Sequence, residues 1–114
     1  MENGAKKYIE QRLPQRLMDE LYGLAEKYRY EGVKLFVFGS FAKLDDRQTS
    51  DLDLGVAWIK ERSPIVFSKL YRDVMDLPTI RKIDLIDVES VDESFRNHIM
   101  KDAVFLSEEK EAVV

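Results

Sequence analysis

The chain has 114 residues, no cysteine, and 22 acidic against 18 basic side chains, for a net charge of −4. This length holds one domain with a true core and leaves no material for a second. The acidic balance and interspersed charges disfavour a long nucleic acid ligand, the missing cysteines exclude a disulfide scaffold, a thiolate zinc site and a thiol nucleophile, and no apolar run approaches the roughly 18 residues of a membrane span.

Residues 1–13 read as a loose arm, with Pro14 interrupting or starting a helix. No apolar signal core follows Met1, so the expected location is cytoplasmic. From Gln15 to about Glu31, Leu17, Leu21, Leu24, Ala25 and Tyr28 recur at helical spacing, and Gly32 supplies the C-terminal stop. Val33 to Phe38 is short, apolar and rich in β-branched and aromatic residues, which predicts a buried strand. The segment from Ser40 to Ser50 is polar and reads as an exposed loop, or a short helix followed by a turn.

Leu52 to Trp58 predicts a second strand, with Asp51, Asp53 and Gly55 on one face and Leu52, Leu54 and Val56 on the other. Ser63-Pro64 opens a helix whose apolar positions Val66, Phe67, Leu70, Val74 and Leu77 run up to Pro78. Lys82 to Val88 predicts a third strand. Ser90-x-x-Glu93 forms a capping box for a helix with Phe95 and Ile99 on its buried side. Ala103 to Leu106 suggests a short last strand, and residues 107–114 a charged tail that frays. The resulting class is α/β (α+β), a small mixed sheet flanked by helices.

Two short patterns carry the chemistry. The first strand ends in Gly39-Ser40, where a residue without Cβ lets the backbone approach a phosphate and Ser40 adds a hydroxyl and an N–H. Ten residues later comes Ser50-Asp51-Leu52-Asp53-Leu54. Carboxylates at i and i+2 of a strand have Cα atoms about 6.5 Å apart and point the same way. That geometry suits two Mg²⁺ ions about 3.5–4 Å apart that clamp a polyphosphate. Asp84, between Ile83 and Leu85 in the third strand, is costly to bury bare and offers a third metal-binding carboxylate. Asp87, three residues on, faces away and reads as structural or surface. Ser50 reads as a turn former that orients Asp51. His98, the only histidine, reads as a surface residue, and Trp58 and Phe67 as core.

With these residues the chain resembles the minimal nucleotidyltransferases of the DNA-polymerase-beta-like superfamily. The resemblance rests on Gly39-Ser40, on Ser50-Asp51-Leu52-Asp53-Leu54 and on Ile83-Asp84-Leu85-Ile86-Asp87-Val88, and extends from about Leu17 to Leu106. It implies a polymerase-beta-like palm fold and Mg²⁺-dependent transfer of a nucleoside monophosphate, AMP from ATP, to a hydroxyl. By the same resemblance Gly39, Ser40, Lys43 and Ser50 hold phosphates, Asp51 and Asp53 bind metal and nucleotide, and Asp84 binds metal and activates the hydroxyl. The implied partner is a helical HEPN-like protein, either a substrate-binding subunit or a toxin that is itself modified; a homo-oligomer stays open. Many relatives follow Gly-Ser with an Arg-Ala-Arg-Gly run, where this chain has Phe41-Ala42-Lys43-Leu44. Phe41 supplies no guanidinium, and Lys43 keeps only a point charge. The competing reading is an antitoxin-like binding module without turnover.

Overall fold

The computed structural model describes residues 3–44 and 51–107. In chain order the elements are α1 (Asn3–Arg12), α2 (Gln15–Arg29), β1 (Val33–Phe38), β2 (Leu52–Trp58), α3 (Pro64–Met75), β3 (Ile83–Asp87), α4 (Glu93–Lys101) and β4 (Val104–Phe105), with a 3₁₀ turn at Val88–Ser90. The strands form one mixed sheet in the order β3-β2-β1-β4. β1 runs antiparallel to β2 and to β4, while β2 and β3 are parallel. A parallel pair needs a crossover, and α3 provides it.

Alternation along the strands divides the core. Val33, Leu35 and Val37 of β1 and Leu52, Leu54 and Val56 of β2 face one side, where they pack with Leu17, Leu21 and Tyr28 of α2 and Leu70 and Val74 of α3. Phe36 faces the other side, with Val88 and Ile99 of α4. Gly55 is required there. A Cβ at this position would run into the Phe36 ring across the β1–β2 ladder.

Most local signals act as the sequence suggests. Gly32 ends α2 at φ +91°, and its N–H bonds the Arg29 carbonyl. Ser63 caps α3 through the Val66 N–H, with Pro64 in the first turn. α3 stops at Met75, before Leu77 and Pro78, with Asp76 as its C-cap.

Four expectations are corrected. The arm is a helix, α1, anchored by fully buried Ile9 and followed by buried Leu13. Pro14 separates two helices and caps the second, its carbonyl accepting from the Met18 N–H. The helix after β3 is capped by Asp92, whose carboxylate accepts from the Phe95 N–H, whereas Ser90 lies in the 3₁₀ turn and donates to the Asp87 carbonyl. Phe95 is exposed, and α4 meets the sheet only one turn later, at Ile99 and Met100. Finally, the loop after Ser40 is not uniformly exposed, because Phe41 and Ala42 are buried in the α2-side core.

The candidate active site

The site is built where β1 ends and β2 and β3 begin. The antiparallel ladder pairs Phe38 with Asp53, and the parallel ladder pairs Asp53 with Asp84. Adjacent strands lie about 4.8 Å apart, so register partners on the same face hold their side chains in contact range. Asp53 and Asp84 therefore meet. Contact with the Asp84 carboxyl disfavours the ionised form of Asp53.

The electrostatics follow from that meeting. Burial, then the charges of Asp84 and Asp51, push the Asp53 carboxyl up to about 6 from its ordinary 3.8, and nearby Lys82 partly opposes them. Asp51 is exposed, just before the first residue of β2, yet near enough for its charge to reach Asp53. Among the described residues no three His, Cys, Asp or Glu side chains converge into a ready-made metal cage. Asp53 and Asp84, with Asp51 near, supply carboxylate oxygens, the ligand type that Mg²⁺ takes.

Gly39 turns the chain out of β1 at φ +79°, and a Cβ there would collide with the Asp53 carboxylate. The glycine thus leaves room for Asp53 itself, a reason additional to phosphate approach. Ser40 is half-buried, and Lys43 is exposed on a turn closed by its N–H on the Gly39 carbonyl at 3.0 Å. Leu44 finishes the turn at φ +65°. From Gly39 to Leu44 the chain forms turns, without a helix opening at Ser40. Ser50, expected to bind phosphate, lies outside the described residues.

The remaining candidates sort clearly. Asp87 is structural: it is 3% exposed and accepts from Trp58 Nε1 at 3.0 Å, Arg62 Nε at 2.6 Å and the Glu89 N–H at 2.9 Å. His98 is exposed. Trp58 and Phe67 are half-buried against the α2-side core.

Sequence reasoning overlooked the segment leading into β3. Thr79, Arg81, Lys82 and Asp84 line an open cavity of about 410 Å³ whose apolar wall includes Tyr71 and Met75 of α3. The Lys82 carbonyl accepts from the Leu52 N–H at 2.9 Å, tying this segment to the strand that carries Asp53. The pair Arg81-Lys82 just before an Asp-bearing apolar strand was the available signal.

Apposed carboxyls beneath a Gly-Ser turn, at one end of a mixed α+β sheet, define the class of polymerase-beta-like nucleotidyltransferase folds. Residues 24–112 match the polymerase beta nucleotidyltransferase family, and the chain belongs to it. Among solved structures, the fold is similar to a toxin–antitoxin crystallised with AMP-PNP (17% identity, 79% of this chain and 72% of that chain covered, TM-score 0.57). It is also similar to a protein assigned as a minimal nucleotidyltransferase (22% identity, 72% and 84% covered, TM-score 0.54). A mutant of the toxin–antitoxin MntA–HpeT gives a comparable match (15% identity, 79% and 71% covered, TM-score 0.55). No curated protein matches the chain. Among the described residues no helix is long and apolar enough to cross a membrane.

Proposed function

We propose that this nucleotidyltransferase is a single catalytic domain of the minimal type, which transfers AMP from ATP to a hydroxyl carried or presented by a helical partner protein. The observation that carries the reading is the Asp53–Asp84 pair, held on adjacent parallel strands with Asp51 alongside. The toxin–antitoxin neighbours, one of them with AMP-PNP, support a partner protein and an adenine nucleotide donor.

In this reading Asp51, Asp53 and Asp84 hold Mg²⁺, which when bound neutralises phosphate charge and polarises the α-phosphate. Gly39, Ser40 and Lys43 cradle the phosphates from the turn after β1, and Ser50 is assigned to phosphate by the family resemblance alone. Asp84, at the edge of the sheet beside the cavity, takes the proton from the acceptor hydroxyl. The hydroxyl oxygen bonds to the α-phosphorus, the bond from that phosphorus to the bridging oxygen breaks, and pyrophosphate leaves with its electron pair. Positioning and charge neutralisation supply most of the rate.

The test is incubation with Mg²⁺, α-labelled ATP and the product of the neighbouring open reading frame, or with small hydroxylated acceptors. Label on the partner establishes protein adenylylation, and label on an added small molecule a two-subunit transferase. Binding of Mg·ATP with no transfer to any acceptor moves the chain to the antitoxin-like binding module. A protein that binds no nucleotide overturns the reading.

A further inference from the structure

Resting on that reading, we propose that Lys82 supplies an ammonium group that binds the phosphate chain of the donor nucleoside triphosphate, opposite the Gly39-Ser40 turn. The Lys82 carbonyl accepts from the Leu52 N–H at 2.9 Å, and Ile83 is the register partner of Leu52. The pairing of β2 with β3 thus reaches back to Lys82, beside Asp51. Side chains of an extended segment alternate between faces, and Lys82 stands two residues before Asp84. The face that carries Asp53 and Asp84 therefore carries Lys82 as well. Its neighbours take the other face: Ile83 packs on the α2-side core, and the Arg81 Cζ lies 5.1 Å from the ring centre of Phe41 in that core.

Three features fit Lys82 to a phosphate. The first is position. In the strand order β3-β2-β1, Lys82 flanks Asp51 and Asp53 on one side and the turn from Gly39 to Lys43 flanks them on the other. A polyphosphate laid across the carboxylates from that turn ends against Lys82. The second is availability. Lys82 is exposed, and among the described residues no ion pair or side-chain hydrogen bond engages its ammonium group. Its charge still reaches Asp53, so the group stands over the site without being tied down. A flexible stem with three donors can then follow a phosphate oxygen as a point charge. The third is charge balance. Two divalent ions do not neutralise both three carboxylates and a triphosphate, and the excess negative charge draws a cation to the rim. Lys82 lines that rim together with Asp84.

Titration calorimetry with Mg·AMP-PNP tests this on wild type, Lys82→Met, Lys82→Arg and Lys69→Met, beside a titration with Mn²⁺ alone. Lys82→Met keeps the stem and removes the charge. It is expected to raise the Kd for Mg·AMP-PNP about tenfold or more, the worth of a charge-assisted hydrogen bond, with the melting temperature near wild type because the side chain is exposed. The same variant is expected to bind Mn²⁺ alone as tightly as wild type or more so, since a like charge beside the cation is gone. Lys82→Arg keeps the charge and is expected to recover most of the nucleotide affinity. Lys69→Met removes an equal charge from exposed α3, where Lys69 pairs with Glu31, and is expected to bind nucleotide as wild type does. Wild-type nucleotide affinity in Lys82→Met overturns the proposal while leaving the site reading intact. Parallel losses of Mn²⁺ and nucleotide overturn it too, because Lys82 would then act through the carboxylates, and so does an equal loss in Lys69→Met, which would mark a diffuse field. If the wild type itself binds no Mg·AMP-PNP, the site reading fails and this inference with it.

Discussion

Gly39 and Asp53 occupy each other's space: the Asp53 carboxylate lies where a Cβ on Gly39 would be, and Gly39 holds a left-handed φ of +79°. Two independent constraints thus fall on one residue, one steric and one conformational. Gly39→Ala is expected to cost about 1–3 kcal/mol of stability from backbone strain alone. It is also expected to displace Asp53 and weaken Mg·nucleotide binding. Urea unfolding and calorimetry on the variant check both, and retention of full nucleotide affinity would show that Asp53 can move without consequence.

Asp84→Asn separates binding from chemistry. An amide keeps the size and can still accept from a protonated Asp53, but it takes no proton from an acceptor hydroxyl. The variant is expected to lose transfer while Mg·nucleotide binding is largely kept. Asp53→Asn is expected to lose both, because Asp53 feels the charges of both other carboxylates. Single-turnover transfer assays beside calorimetry give the comparison; equal loss of binding in the two variants would remove the activating role from Asp84.

Asp87 shows how the scaffold holds its register. Its carboxylate is buried and takes hydrogen bonds from Trp58 at the end of β2, Arg62 in the following loop and the Glu89 N–H. Asp87→Ala leaves its part-buried donors without an acceptor and is expected to cost about 2 kcal/mol, less than a fully buried ion pair because Arg62 is partly solvated. Denaturant midpoints measure this. A double variant with Arg62→Met tells whether the guanidinium, rather than the indole, carries the coupling.

What was legible in the sequence was local. β1 and β2 were readable to the residue because an apolar run between polar boundaries has one face pattern, and that pattern put Asp51 and Asp53 together. Asp84 was legible as an acid inside an apolar strand. Its pairing with Asp53 was not, since register between parallel strands joined by α3 is set by packing on the helix. The same limit hid Arg81 on Phe41 and the donors to Asp87, residues far apart in the chain. α1 was missed for a different reason. Ile9 and Leu13, four apart, form a buried stripe, and Pro14, a helix breaker by composition, divides two helices rather than ending an arm. At α4, Ser90 and Asp92 both stand at cap spacing from a suitable partner, and the 3₁₀ turn that consumes Ser90 decides for Asp92.

The raised Asp53 pKa makes stability and metal binding depend on pH in opposite directions. Folded, metal-free protein holds the Asp53 proton up to about pH 6, whereas the unfolded chain releases it near the ordinary 3.8. The native state therefore binds more protons between these values, and its stability falls as pH rises through about 6. Asp53→Asn carries no such charge, so in EDTA at pH 7.5 it is expected to be the more stable protein. The gap is about 1–2 kcal/mol once solvent screening of a partly exposed group is allowed for, and it closes by about pH 4. Mg²⁺ needs the ionised pair, so it is expected to stabilise wild type more at pH 7.5 than at pH 5 and to leave Asp53→Asn nearly unaffected. Urea midpoints across this range, with EDTA and with Mg²⁺, read both trends. A gap that widens toward acid would mean that Asp53 is ionised in the folded protein throughout, and would overturn the raised Asp53 pKa and the opposed pH trends drawn from it.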